Sequence, residues 1–308
     1  MAMNGNKAEL TLGPVLFNWA PERWRDFYFR IADEAPVGIV YVGEAVCFKR
    51  APLFDDVLAD VVARLQAAGK TVVYVTLAEV MSKQERTLIG DVCGCDGVLV
   101  EANDGSALAR LRGRPHHVGP FVNVYNERTL AVLARNGAQS VCLPPEMPAA
   151  AIGQLCGPAA QAGVAIEVQV FGRVPLALSA RCYHARAHGR TKDTCQFVCD
   201  TDPDGMVLRT LEDKPFLVVN GIQTMSHAYL NLLGNAADLR AMGVTRLRLS
   251  PHSCDMLAVA QTFRDVLDGR LDSAEGQSRI AALGLDAPFC DGFYAGNAGE
   301  TWSRAALQ

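Results

Sequence analysis

Apolar residues along this chain fall into short unbroken runs, separated by longer stretches in which they recur every three or four positions. The runs at 10–17, 37–42, 71–77, 97–100, 118–124, 140–143, 165–171, 216–219 and 245–249 read as strands. Unbroken apolar runs are what parallel strands show when both faces of a sheet are covered. Between them, residues 52–68 place Leu53, Val57, Val61 and Leu65 on one helical stripe, with Gly69 at the stop position. Residues 127–135 repeat the arrangement and end in Asn136-Gly137 just before the next strand.

About eight strands alternating with helices predict an α/β fold, a (β/α) TIM-barrel-like single domain over residues 1–308. An open doubly wound sheet is the alternative. Two parts depart from a regular barrel. Residues 183–213 have little periodicity and form an irregular insertion that carries cysteines, and the tail from about 286 to 308 is rich in glycine and aromatics. A loop that long inside a compact domain usually has a function.

Composition changes the picture in two ways. The formal net charge of −4 and pI near 5.9 give no support for a nucleic-acid-binding face, although Arg173, Arg181, Arg186, Arg190 and Lys192 gather near the cysteines. The opening MAMNGNKAELTLG lacks the apolar run of a secretory signal, and no apolar stretch has the length of a membrane span. The expectation is a cytoplasmic protein with reduced thiols. Its ten cysteines are then core thiols and metal ligands rather than five disulfides.

The chemistry concentrates in Cys182, Cys195 and Cys199, spaced C-x12-C-x3-C in polar surroundings. Thiolates are the ligands of iron–sulfur clusters and of structural zinc. Cys195 and Cys199, four apart, would point the same way on a helical turn. Zinc favours two-residue gaps, so the three-residue gap leans towards a cluster and leaves zinc open. Cationic neighbours would lower the thiol pKa values. A fourth ligand must come from elsewhere. Cys142 and Cys156 read as core, Cys254 and Cys290 stand alone, and Cys93-Gly94-Cys95 has an awkward one-residue gap. Cys47 follows a strand end, where a barrel presents its functional mouth, and is the best candidate by position. His184 and His188, with Cys182 beside them, form an alternative zinc set, and His116-His117 read as a turn-to-strand junction.

The segment EVQVFGRVPLALSARC, with Glu167, Gly172 and Ser179-Ala180-Arg181-Cys182, resembles the collagenase-like peptidase superfamily of bacteria. Many members carry a cysteine where this chain has Pro175. The closing AGNAGETW is similar to the Gly- and aromatic-rich tails of that superfamily, while LGPVLFNW, VGEAVCFKR and the C-x12-C-x3-C spacing are similar to its branch that serves oxygen-independent ubiquinone biosynthesis. This resemblance implies a 4Fe-4S cluster on Cys47, Cys182, Cys195 and Cys199. It also implies a heterodimer with a UbiU-type paralogue and hydroxylation of a ubiquinone precursor, with prephenate as the suggested oxygen source. Relatives that support RNA hydroxylation set the alternative function.

Proteolysis finds no support, since neither H-E-x-x-H nor G-x-S-x-G occurs. For a hydroxylase, Arg173 and Arg181 are candidate carboxylate binders and Glu167 a candidate proton carrier, each with a purely structural counterpart. Asn220 and His252 are expected at the barrel mouth.

Overall fold

The computed structural model describes residues 8–303. From the N-terminus its elements are β1 (Glu9–Leu12), α1 (Pro21–Glu34), β2 (Ile39–Val42), α2 (Asp55–Ala67), β3 (Thr71–Val75), α3 (Lys83–Gly94), β4 (Leu99–Ala102), α4 (Gly105–Arg110), β5 (His116–Val118), α5 (Glu127–Arg135), β6 (Ala138–Cys142), α6 (Ala149–Gln161) and β7 (Ala165–Leu178). An excursion follows, with α7 (Tyr183–Ala187), β8 (Met206–Arg209), β9 (Pro215–Asn220) and β10 (Gln223–Asn231). The chain finishes with α8 (Ala236–Met242), β11 (Arg246–Leu249), α9 (Met256–Leu267), α10 (Ser273–Ala281) and β12 (Phe289–Cys290).

Strands β1 to β7 pair in order and in parallel, and β11 closes the ring by pairing in parallel with both β7 and β1. This is a closed eight-stranded parallel barrel, so the expected barrel is correct and the open sheet is not. The unbroken apolar runs have the cause inferred for them. Val40, Val42, Val100, Val168, Val170, Leu247 and Leu249 are buried against the outer helices.

The eighth apolar run, now β9, is not a barrel stave. It lies in an antiparallel ribbon, β7-β10-β9-β8, that leaves the barrel through the second half of β7. Residues 165–171 of β7 pair with the barrel, and residues 171–178 pair with β10. The bend falls at Gly172, whose φ is +109 and whose added Cβ would lie 2.7 Å from Ser250 Cβ. Only glycine suits both the left-handed backbone and that approach. Another boundary also moves for a local reason. The helix expected from residue 52 begins at Asp55, because Pro52 sits in a 3-10 turn, Phe48–Phe54. Helix α5 has the expected bounds, with the Asn126 side chain capping Thr129 N–H at 2.9 Å.

Candidate metal centre

Cys47 arrives on the loop after β2. The buried Glu44 carboxylate accepts the N–H groups of Val46 (2.6 Å) and Cys47 (3.0 Å), which fixes the turn just before the 3-10 segment. Cys182 is the N-cap of α7, its Sγ accepting the Ala185 N–H at 3.4 Å. Cys195 and Cys199 do not share a helical turn as expected. Gln196 and Phe197 are both left-handed (φ 49 and 54), and Cys199 follows on a separate 3-10 turn, Val198–Thr201. Two successive non-glycine residues in that region are strained backbone, a feature that collects at functional sites.

These four thiols, drawn from three separate stretches of chain, line one small cavity together with Lys49, Arg50, His184 and Lys192. Among the described residues no three Cys, His, Asp or Glu side chains converge closely enough to hold a single metal ion. The surroundings are cationic. Lys49 Nζ lies 3.9 Å from Cys195 Sγ and donates to the carbonyls of Lys192 (2.8 Å) and Asp193 (3.1 Å). Arg50, fully buried, donates to Leu16 O and to Asn220 Oδ1, each at 3.0 Å, and its guanidinium faces Glu44, Cys199 and Cys47. Lys192 pairs with the buried Glu85 at 3.0 Å, which fastens the insertion to α3. Burial pushes the Cys47 and Cys182 thiols up, while Arg50 pulls both the other way. Lys49 and Arg50 were not singled out from sequence, although they directly follow Cys47 in chain order.

The alternative zinc set does not assemble. His184 and His188 stack with centroids 5.6 Å apart, His184 Nε2 is held by Asp202 at 2.9 Å, and His188 Nδ1 bonds the His184 carbonyl. Cys93 is buried in a small satellite core and Cys95 is exposed. Cys142 and Cys156 are buried in the core as expected.

The polar candidates around the barrel sort differently. Arg173 is not available to a ligand carboxylate. It is buried, stacks on Tyr229 (4.4 Å) and pairs with Asp286 at 3.0 Å. Arg181 is exposed. Asn220 ends β9 in the ribbon, where it receives Arg50 and donates to Leu16 O at 2.7 Å. His252 does follow the last barrel strand. Its Nε2 accepts the Arg173 N–H at 3.0 Å, so although Ser253 and Asp204 are adjacent, no histidine base faces the serine.

His116 and His117 do open a strand after a turn, as expected, but His117 also points into the barrel with Glu167, and an ionic network that was not foreseen fills the interior. Arg248 binds Glu167 at 2.5 Å and also Glu101, with its guanidinium 3.9 Å from the Tyr41 ring. Tyr41 Oη donates to Glu167 (2.9 Å) and contacts His117 Nδ1 (3.0 Å), and Thr11 also bonds Glu167. Burial works against a charged Glu167, but Arg248 outweighs it and holds this carboxyl below its usual range. Burial holds Glu101 above that range, with Arg248 opposing and Glu167 reinforcing. The period-2 placement of Arg246 and Arg248 in "TRLRLS" was the available signal.

Fold and site together define a closed (β/α) barrel whose mouth-side excursion gathers four thiols under a cationic wall. The chain belongs to Peptidase family U32, whose family model matches residues 19–304. Among solved structures it is similar to the U32 peptidase Mk0906, with 12% identity, 82% of this chain and 96% of that chain covered, and a TM-score of 0.46. It is also similar to a putative dihydrodipicolinate synthase family protein from Coccidioides immitis (11% identity, 92% and 80% covered, TM-score 0.47). A third is the dihydropteroate synthase FolP from Thermus thermophilus (15% identity, 87% and 95% covered, TM-score 0.44). Among the described residues no helix is long and apolar enough to cross a membrane.

Proposed function

We propose that this chain is a UbiV-type 4Fe-4S protein, a subunit of an oxygen-independent hydroxylase acting on a ubiquinone precursor alongside a UbiU-type paralogue. The observation that carries the reading is the meeting of Cys47, Cys182, Cys195 and Cys199 around one cavity. Their donor chemistry fits the group. A cubane takes one thiolate per iron, so four thiols spread around a cavity suit it better than they suit one zinc ion, which needs all its ligands within about 2.3 Å. Lys49 and Arg50 offset the negative charge that four thiolates and a cluster would concentrate there. When bound, the cluster would supply one-electron redox chemistry.

The chain's own residues do the rest of what can be assigned. Glu44 holds the Cys47 loop in place through two backbone bonds. Arg50, which lines the cysteine cavity, and Asn220 both grip Leu16 O and are bonded to each other, which ties the Cys47 loop to the end of β9. Phe197 and Val198 line the cavity and limit water at the sulfurs. His252 spends its Nε2 on the Arg173 N–H and so does not serve as a base for the neighbouring Ser253.

Deleting the gene should lower ubiquinone only in cells grown without oxygen, and a Cys47→Ala copy should fail to restore it. Normal ubiquinone in the anaerobic deletion strain, with altered RNA hydroxylation instead, would move the chain to the RNA class.

A further inference from the structure

A cleft of about 390 Å³ lies on the outside of the barrel between α2 and α3, a volume in the range of small-molecule sites. Its walls are apolar: Leu58 of α2, Tyr74 of β3, Leu88, Ile89 and Val92 of α3, and Val98 just before β4. Carboxyl groups stand at both ends. Glu44, after β2, and Asp55, the first residue of α2, mark the end level with the C-terminal ends of the strands. Asp91, in the last turn of α3, marks the other end. Among the described residues no Lys, Arg or His lines the cleft.

Asp55 and Asp91 are exposed, and neither has an ion-pair partner among the described residues. The place of Asp91 is unfavourable as it stands. The last turn of a helix carries partial negative charge and favours a cation, yet α3 has no basic residue in that turn. At the other end, Glu44 is buried, gives Oε1 to the N–H groups of Val46 and Cys47, and receives no side-chain donor. Arg50 faces Glu44 from the cysteine cavity, so Asp55 is the carboxylate left for a second cation, with Glu44 as an acceptor beside it. The lining runs along α3 from Leu88 to Cys95, about 10 Å at the rise of an α-helix. Carboxylates held that far apart do not share one metal ion, and an anion would be repelled from both ends. A chain of methylenes with an ammonium group at each end matches the walls and the charges together.

From this geometry we infer that the cleft between α2 and α3 binds a linear aliphatic diamine, one ammonium group at Asp91 and the other at Asp55, with the methylenes against Leu58, Leu88 and Val92. The site lies outside both the barrel mouth and the cysteine cavity. The inference stands whether or not the thiols hold a cluster, and iron content plays no part in its test.

The test is a ligand-observed NMR titration of the whole protein at low ionic strength with 1,6-diaminohexane, 1,3-diaminopropane and hexylamine, each up to about 10 mM, a range in which ligands of this size give measurable binding. The six-carbon diamine should bind at least roughly fivefold more tightly than hexylamine, which lacks the second charge, and than 1,3-diaminopropane, which has both charges on too short a chain. Asp91→Asn and Asp55→Asn, both at exposed positions, should each lower its affinity to that of hexylamine. Val92→Trp, which fills the middle of the cleft, should abolish binding of both six-carbon amines. No binding of 1,6-diaminohexane to the wild type, equal affinity for the two diamines, or binding unchanged in either folded aspartate variant would each overturn the proposal.

Discussion

The interior histidine offers a sharp test of the electrostatics derived above. His117 is 2% exposed, its Nδ1 lies 3.0 Å from Tyr41 Oη, and its Nε2 lies 3.3 Å from an Arg246 nitrogen. Tyr41 gives its own proton to Glu167, so His117 Nδ1–H donates to Tyr41 and Nε2 accepts from Arg246. A second ring proton would face the Arg246 cation. Burial, with Arg246 reinforcing it, pushes the His117 pKa down to about 3 from its ordinary 6.5. The folded pKa is below the unfolded one, so the unfolded chain binds more protons between those values and stability falls as pH drops below about 6.5. With 1.36 kcal/mol per pKa unit, this residue alone removes about 2 kcal/mol between pH 7 and pH 5. Urea unfolding of the wild type and His117→Gln at both pH values isolates the contribution from those of other titrating groups. The pH-dependent loss should be smaller in the variant by about 2 kcal/mol. Equal losses in the two proteins would refute the neutral, Arg246-facing histidine.

Other expectations follow from single contacts. Cys182→Ala, Cys195→Ala and Cys199→Ala should each lose bound iron, whereas Cys142→Ala, in the barrel core, should retain it; metal analysis of anaerobically purified variants decides. Lys192→Ala removes the partner of the buried Glu85 and should destabilise the insertion by roughly 1–2 kcal/mol. Limited proteolysis should then cut within residues 188–205 faster than in the wild type, and unchanged cutting would contradict the tether. Gly119→Ala would put a Cβ 1.9 Å from Asn103 Oδ1 and 2.8 Å from Glu101 Oε1. It should cost about 1–3 kcal/mol, read as a lowered melting temperature, and an unaltered melt would argue against that packing.

Much of the fold could be read directly, because barrel strands buried on both faces leave unbroken apolar runs and helix α5 carries both its cap and its stop. The ribbon could not. β9 has the same apolar character as a stave, and nothing local in residues 216–219 tells an antiparallel partner from a parallel one. Its placement depends on Gly172 turning β7 out of the barrel, a consequence of crowding by Ser250 and His252 from far along the chain. The thiol set was legible as a pattern of residue types, but the means of assembling it was not. Lys49, Arg50 and Glu85 act across long sequence distances, and the left-handed Gln196 and Phe197 occur at residues without any glycine signature. The barrel's ionic interior was missed because Glu101, Glu167 and Arg248 sit on three different strands, and no local spacing shows that their inward faces meet.

The central claim is that Cys47, Cys182, Cys195 and Cys199 hold one four-iron cluster. Iron and acid-labile sulfide content of the wild type and Cys47→Ala, purified without oxygen, tests it most directly. The account expects roughly four irons and four sulfides per wild-type chain and their loss in the variant. Wild-type protein with one zinc and no sulfide, or a Cys47→Ala variant with its iron intact, would contradict it.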